Sequence, residues 1–312
     1  MRADRTGAPA TMARSERWLL SAYFVIVWGA GYVATRVALL YAAPITYIGV
    51  RYAIAFVVAM LAFGLRASWP KTPSQWGHIA VAGLLSHAGY LGGSHYAQRW
   101  GLSAGVTALI LSLQPLLTAV VVSRWLHVRL SRLQMLGVAI GLGGVVLVVA
   151  HRVDGKAINA LALAAVAWAL ACVTGGALYQ RHFCADSDLR SAICIHFAAT
   201  AAVMLPLGYA VEGFAIVWNA QIAATLAYHV VLASIGAFTI LHLLMRRGEA
   251  TGVTSLLYLT PPVAALAEWA VFGTPPTPTM WVGMAVACVG VAMVTSNRTA
   301  PAPKTPILEE PS

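Results

Sequence analysis

One carboxylate, Glu268, and two guanidinium groups, Arg36 and Arg51, stand inside long apolar runs of this 312-residue sequence. A charge at the centre of an apolar layer costs about 2.5–3.5 kcal/mol on insertion scales, so such a group pairs, exchanges a proton or faces water. Glu268 is therefore a candidate proton-coupling carboxylate. The plainer alternative is a side chain near a helix end, close to Gly273, that reaches the interface. Arginine keeps its charge at any relevant pH and presents a planar fork of donors, so Arg36 or Arg51 can hold a solute carboxylate. Their positions, late in one run and early in the next, equally suit snorkelling near one face. Side by side there, they would need a carbonyl or acid partner to relieve their repulsion.

A third run is the richest in polar groups. His87, Tyr90, Ser94 and Gln98 recur at i, i+3, i+7 and i+11 and share one helical face, with His95 and Tyr96 beside it. Unpaired polar groups at membrane depth cost several kcal/mol, so this face should meet water, a solute or other polar groups. Lining a cavity and bonding between packed helices both satisfy that demand. Gly83, Gly89, Gly92 and Gly93 on the same run favour close packing. Further candidates are Trp28, Tyr32 and Thr35, then Thr107, Gln114 and Thr118, then His229, Gly236, Thr239 and His242, and finally Thr254, Tyr258 and Thr260. Aromatic rings with hydroxyl or amide neighbours suit a small amphipathic solute. Pro115, Pro261 and Pro262 are expected mid-helix, where proline removes a backbone donor and frees a carbonyl. They are candidate hinges or, alternatively, static kinks. Gly137, Gly141, Gly144, Gly283 and Gly290 read as small-residue packing surfaces.

The elements that position these residues follow from composition. Sixty per cent of the chain is hydrophobic and only 10% is charged, against roughly 25% charged in soluble domains. Mean hydropathy is +0.76. The apolar residues fall into ten predicted spans, at about 18–40, 44–65, 75–97, 103–123, 132–150, 157–179, 191–210, 222–245, 250–272 and 278–296. Each can cross a hydrocarbon core of about 30 Å as a helix. The first run is too long for a signal-peptide core and no small-residue cleavage site follows it. Residues 1–17 form an N-terminal tail, and the proline-rich residues 297–312 are expected to be a disordered C-terminal one.

Charge sets the expected orientation. With the N-terminus cytoplasmic, inside segments hold fifteen Lys and Arg residues and outside segments only three, Arg99, Arg152 and Lys156. That bias places both termini in the cytoplasm. It also accounts for the net charge of +10 without nucleic acid as a partner. Cys172, Cys184, Cys194 and Cys288 show no CxxC spacing and read as small buried hydrophobes.

The chain repeats itself. Residues 101–115, GLSAGVTALILSLQP, resemble residues 248–262, GEATGVTSLLYLTPP, at a constant offset of 147. The likeness continues, with one gap, from Gly137 through Gly144 against Gly283 through Gly290. The unit is five helices, over residues 18–150 and 157–296. An odd number of helices makes the second copy begin on the opposite side of the membrane. Inverted pairs of this kind typify secondary transporters, with the solute site near the midplane between the halves.

At these residues the chain resembles EamA-type members of the drug/metabolite transporter superfamily. The resemblance rests on Trp28-Gly29 followed by Arg36, Pro44 with Arg51, the Gly105-Val-Thr to Gln114-Pro115 pattern, and Leu259-Thr-Pro-Pro262 followed by Glu268-Trp269. It covers about residues 18–296. It implies an all-α, ten-helix membrane fold around a central cavity, in the bacterial cytoplasmic (inner) membrane. The implied activity is movement, as export, of small neutral or zwitterionic metabolites such as amino acids. Relatives place Gly-Glu after the fourth and ninth helices. Here His127-Val128 and Gly273-Thr274 stand there instead, so both loop carboxylates are absent.

No HExxH, DxxD or P-loop pattern is present, which argues against an enzyme or an ATP-driven pump. No cofactor and no metal are expected. The expected partners are a small-molecule substrate and the lipid bilayer, with proton coupling and a homodimer left open. The alternatives kept are an exchanger or importer of phosphorylated or nucleotide-linked metabolites, using Arg36, Arg51 or Arg99, and a membrane-embedded enzyme.

Overall fold

The computed structural model describes residues 14–125, 129–150, 159–237, 240 and 257–296. Among the described residues there is no strand. Helices α1 (Arg14–Ala38) and α2 (Pro44–Phe63) follow the first two apolar runs. The third run forms α3 (Pro73–Gly83), a π-helical turn (Leu84–Gly89) and α4 (Tyr90–Arg99). The fourth run divides into α5 (Ala104–Leu111) and α6 (Gln114–Trp125). Then come α7 (Arg132–Ala150), α8 (Ala160–Phe183) and α9 (Leu189–Glu212). Next is α10 (Ala220–Ala227), prolonged by a π-helical stretch (Tyr228–Ala237). A 3-10 turn (Leu257–Leu259) leads into α11 (Thr260–Phe272), and α12 (Pro278–Ser296) closes the described chain.

The helix ends are set by local chemistry. Thr72 and Gln75 form a reciprocal capping box ahead of α3. Ser103, Asn159 and Asn219 each accept a backbone N–H in the first turn of α5, α8 and α10. Gly213 and Gly273, at φ +60° and +71°, end α9 and α11 in the left-handed conformation that glycine adopts without strain. Among the described residues seven helical segments are long and apolar enough to cross a membrane, and Ala220–Ser234 is a shorter apolar one. Large apolar side chains such as Leu61, Leu65, Trp168 and Val211 face outward, as a lipid-facing surface requires.

Glycines let the helices meet closely. α7 and α12 cross with Gly137 against the backbone of Gly290 and Gly144 against that of Gly283, so the two run antiparallel. α2 and α9 are likewise antiparallel, with Gly208 against Thr46 and Gly49 against Leu205. α4 lies on α8 through Gly93 against Ala165 and Ala169, and Gly89 on the preceding π turn meets Cys172. Most of the glycine surfaces expected from sequence are thus contacts with another helix's backbone. Gly89 meets the Cys172 side chain and Gly141 first meets that of Leu116, while Gly92 has only the end of Met204 near it.

The α2–α9 pair is tied at both ends. At one end the turn before α2 joins the turn after α9: Ala43 N–H donates to the Ala215 carbonyl (2.9 Å) and Val217 N–H to that of Tyr41 (2.7 Å). At the other end Ser68 N–H donates to Asp188 (2.8 Å), and Arg190 donates to the Arg66 carbonyl (2.9 Å).

Two expectations about proline change. The residue before α6 breaks the helix at residues 112–113, so Pro115 stands in the first turn of α6 rather than inside a continuous helix. Pro261 and Pro262 open α11 in the same way. Proline is tolerated there because first-turn N–H groups have no intrahelical partner. The Tyr258 carbonyl, four residues before Pro262, is taken by the Cys288 thiol at 3.2 Å.

Candidate functional site

A chain of polar side chains runs through the apolar bundle where α1, α2, α4 and the π-helical stretch after α10 meet. His229 is its node. Its Nε2 lies 3.1 Å from the Gly31 carbonyl, which can only accept, so Nε2 carries a proton. Its Nδ1 is then the acceptor for the Tyr47 hydroxyl at 2.7 Å, and the Thr35 hydroxyl sits 3.4 Å from Nε2. One turn beyond Tyr47 on α2, Arg51 donates to the Ser234 hydroxyl at 3.2 Å and lies over the ring of Tyr52. Tyr52 in turn bonds His87 Nδ1 at 2.9 Å, and His87 meets His196 and Phe197 of α9 edge-on.

This chain holds more hydrogen-bonding capacity than it uses. Arg51 is buried and its Nε has no partner among the described residues. His95, 1% exposed, has no side-chain hydrogen-bond partner among the described residues, and its ring centre lies 6.1 Å from that of Tyr47. Elsewhere in the bundle Gln98, Thr174, His196 Nε2 and Thr260 are also buried without partners among the described residues. An unmet buried polar atom costs about 1–3 kcal/mol, so Arg51 and His95 side by side point to a missing partner.

The other two in-span charges find each other. Glu268 of α11 forms an ion pair with Arg36 of α1, and its second oxygen accepts the Gly105 N–H of α5 at 3.1 Å. The Arg36 guanidinium also covers the Phe272 ring, 4.3 Å from its centre. Glu268 is buried, so it does not reach out to the interface, and the acid partner expected for the two arginines serves Arg36 alone. Arg51 points to α10's extension instead, so the two cations do not share one environment as their spacing suggested.

A second carboxylate went unnoticed in the sequence. Glu212, the last residue of α9, accepts the Ile45 and Thr46 backbone N–H groups (3.0 and 2.8 Å), the Thr46 hydroxyl (2.8 Å) and the Tyr96 hydroxyl (2.7 Å). Ala43, at the N-cap of α2, has no side-chain oxygen to offer, so the helix is capped from another one. The sequence signal was Pro44, which marks a helix start whose free donors need an acceptor. Tyr47, Tyr52 and His196 were also missed, since single aromatic and imidazole residues in apolar runs carry no spacing.

The expected face of the third run divides between partners. His87 turns to Tyr52, Tyr90 bonds Tyr32 of α1 at 3.1 Å, and Ser94 and Gln98 are buried. The π turn adds a residue to the helical circuit and shifts the phase between His87 and the rest. Trp28 packs on Phe24, and Gln114 bonds the Val173 carbonyl at 3.4 Å. Tyr258 donates to Thr295 at 2.9 Å and serves helix packing. His242, Thr239 and Thr254 lie outside the described residues. A cleft lined by Ile110, Leu142, Val146, Leu163 and Leu170 is wholly apolar and offers a polar solute nothing.

Comparison with known proteins places this geometry. The model of the EamA-like transporter family matches residues 17–150 and 155–296. The uncharacterized transporter YvbV of Bacillus subtilis is 24% identical over 287 residues, covering 90% of this chain and 92% of that one. The uncharacterized inner membrane transporter YedA of Escherichia coli K12 is 24% identical over 277 residues, 88% of each chain. A solved crystal structure matches with a TM-score of 0.63 at 20% identity, over 91% of this chain and 98% of that one, which shows a shared fold.

Proposed function

The chain belongs to the EamA-like transporter family, and from that premise we propose that it exports small neutral or zwitterionic metabolites, amino acids among them, by alternating access. The observation that carries this reading is the buried, under-satisfied polar chain of Arg51, Tyr47, His229 and His95 inside an otherwise apolar bundle. Packing alone would leave those atoms at a cost that a bound solute or water removes.

The mechanism rests on ten spans arranged as two inverted five-helix repeats, residues 18–150 and 157–296. Several relations support that arrangement. The family match falls twice along the chain. The contacts Gly137–Gly290 and Gly144–Gly283 exchange into each other when 146 is added to the first member of each pair. That exchange is the mark of a two-fold contact. Counterpart helices α7 and α12, and α2 and α9, run antiparallel, as inversion requires. The fourth and ninth spans restart their helices within one residue of matching places, at Gln114 and Thr260.

Both termini are read as cytoplasmic and the membrane as a bacterial inner one, in keeping with the charge bias and with YedA's name. On that reading Arg36, Glu268 and Gly105 lie at the extracytoplasmic ends of their helices. Their ion pair then closes the outer mouth between the two halves, with the polar chain beneath it. A proton taken by Glu268 would release Arg36, which offers one route for coupling.

Purified protein in liposomes tests the reading. Saturable counterflow of labelled amino acids is the expected result. Product formation from a solute without any flux would speak for a membrane enzyme instead.

A further inference from the structure

Arg51 is a buried cation with no counter-charge among the described residues. Among the described residues Glu268 pairs with Arg36 and Gly105, Glu212 serves the start of α2, and Asp188 accepts from Ser68 at the far end of the α2–α9 pair. Asp186 lies beyond α8 in an exposed turn, and Glu16 stands in the first turn of α1. No carboxylate among the described residues pairs with Arg51, and its single side-chain hydrogen bond goes to a neutral hydroxyl, that of Ser234. A buried charge without an opposite charge beside it is unfavourable, because its lost hydration is left uncompensated.

The surroundings supply the rest of a site. His95 stands beside Tyr47 with no side-chain hydrogen-bond partner among the described residues, and one of its ring nitrogens carries a proton and can donate. Tyr47 and Ser234 add hydroxyls, and Tyr52 gives the guanidinium an aromatic floor. The unengaged Nε edge of Arg51 is one side of a planar fork that matches the two oxygens of a carboxylate. Among the described residues no second arginine is seen beside this site: Arg36 is neutralised by Glu268, and Arg99 is turned to the Leu39 carbonyl at 3.0 Å. One cation balances a monoanion and leaves a phosphate dianion half neutralised.

We propose that Arg51, with His95 and Ser234 beside it, is the binding site for the carboxylate of the transported solute. The proposal rests on the transporter reading above and narrows its substrate class to carboxylate-bearing zwitterions such as amino acids.

The test is flux through the full-length protein in liposomes, with each amino acid paired with its own carboxamide. The acid should move at least about tenfold faster than its amide, the worth of one charge-assisted hydrogen bond. In Arg51→Gln that preference should fall to near unity, whereas Arg51→Lys keeps the charge but loses the fork and should fall in between. His95→Phe, which leaves the cation in place, should weaken the preference severalfold and gives a second readout if Arg51→Gln does not fold. Amides moving as fast as acids, or an Arg51→Gln protein that keeps its acid preference, would overturn the carboxylate site while leaving a carrier. Stronger competition by inorganic phosphate than by any carboxylate would also overturn it. Flux of neither member of any pair would remove the transporter reading and the proposal with it.

Discussion

The Glu212 carboxylate accepts both the backbone N–H and the hydroxyl of Thr46, each at 2.8 Å, across a separation of 166 residues. The last residue of one helix thus caps the first turn of another, where the peptide dipoles favour negative charge. Glu212→Gln keeps the shape but loses the charge and should lower unfolding stability by about 1–2 kcal/mol. Glu212→Ala should cost more, because the Ile45 and Thr46 donors lose their acceptor. Denaturation of both variants in detergent checks the order; equal stability of all three proteins would refute the cap.

The Arg36–Glu268 pair joins α1 to α11, and Gly105 adds α5. Glu268→Gln should leave an unpaired cation and bias the protein toward an open outer mouth. A cysteine placed at Ser103, at the head of α5, should then react faster with an impermeant thiol reagent. The swap of Arg36→Glu with Glu268→Arg should recover part of the loss, a coupling of about 0.5–3 kcal/mol in a double-mutant cycle. If solute flux ignores both a pH gradient and Glu268→Gln, proton coupling through this residue is wrong.

Gly143 and Gly144 are neighbours on α7 with opposite surroundings. A Cβ at Gly144 would lie 2.6 Å from the Ala287 nitrogen and from the Gly283 oxygen, whereas a Cβ at Gly143 meets nothing within 4 Å. Gly144→Ala must push α7 and α12 apart and should cost about 1–3 kcal/mol. Gly143→Ala should be neutral or add up to about 1 kcal/mol through helix propensity. Thermal unfolding separates the two; similar melting points would contradict the close crossing.

Reporters fused to the two ends of the chain should both score as cytoplasmic. Ends found on opposite sides would require an odd number of spans and would end the inverted-repeat reading.

The amino-acid order alone determined the membrane class, the approximate extent of the helical runs and the internal likeness of residues 101–150 to 248–296. Those features are written in hydropathy and in small-residue periodicity, which depend on neighbours along the chain. The glycines of α7 and α12 were legible for the same reason, since close packing leaves a stripe on each helix separately. The partners of charged residues were not legible. Glu268 seemed free to reach the interface and Glu212 carried no signal, yet each is fixed by residues more than a hundred positions away. Arg36 and Arg51, alike in sequence, ended in opposite situations, one paired with a carboxylate and one without such a partner among the described residues. Which residues meet is set by the rotation of each helix about its axis and by the π turn at Leu84–Gly89. Both are outcomes of packing among all the helices at once, and that is why only the tertiary structure decided where the charge is balanced and where it waits for a ligand.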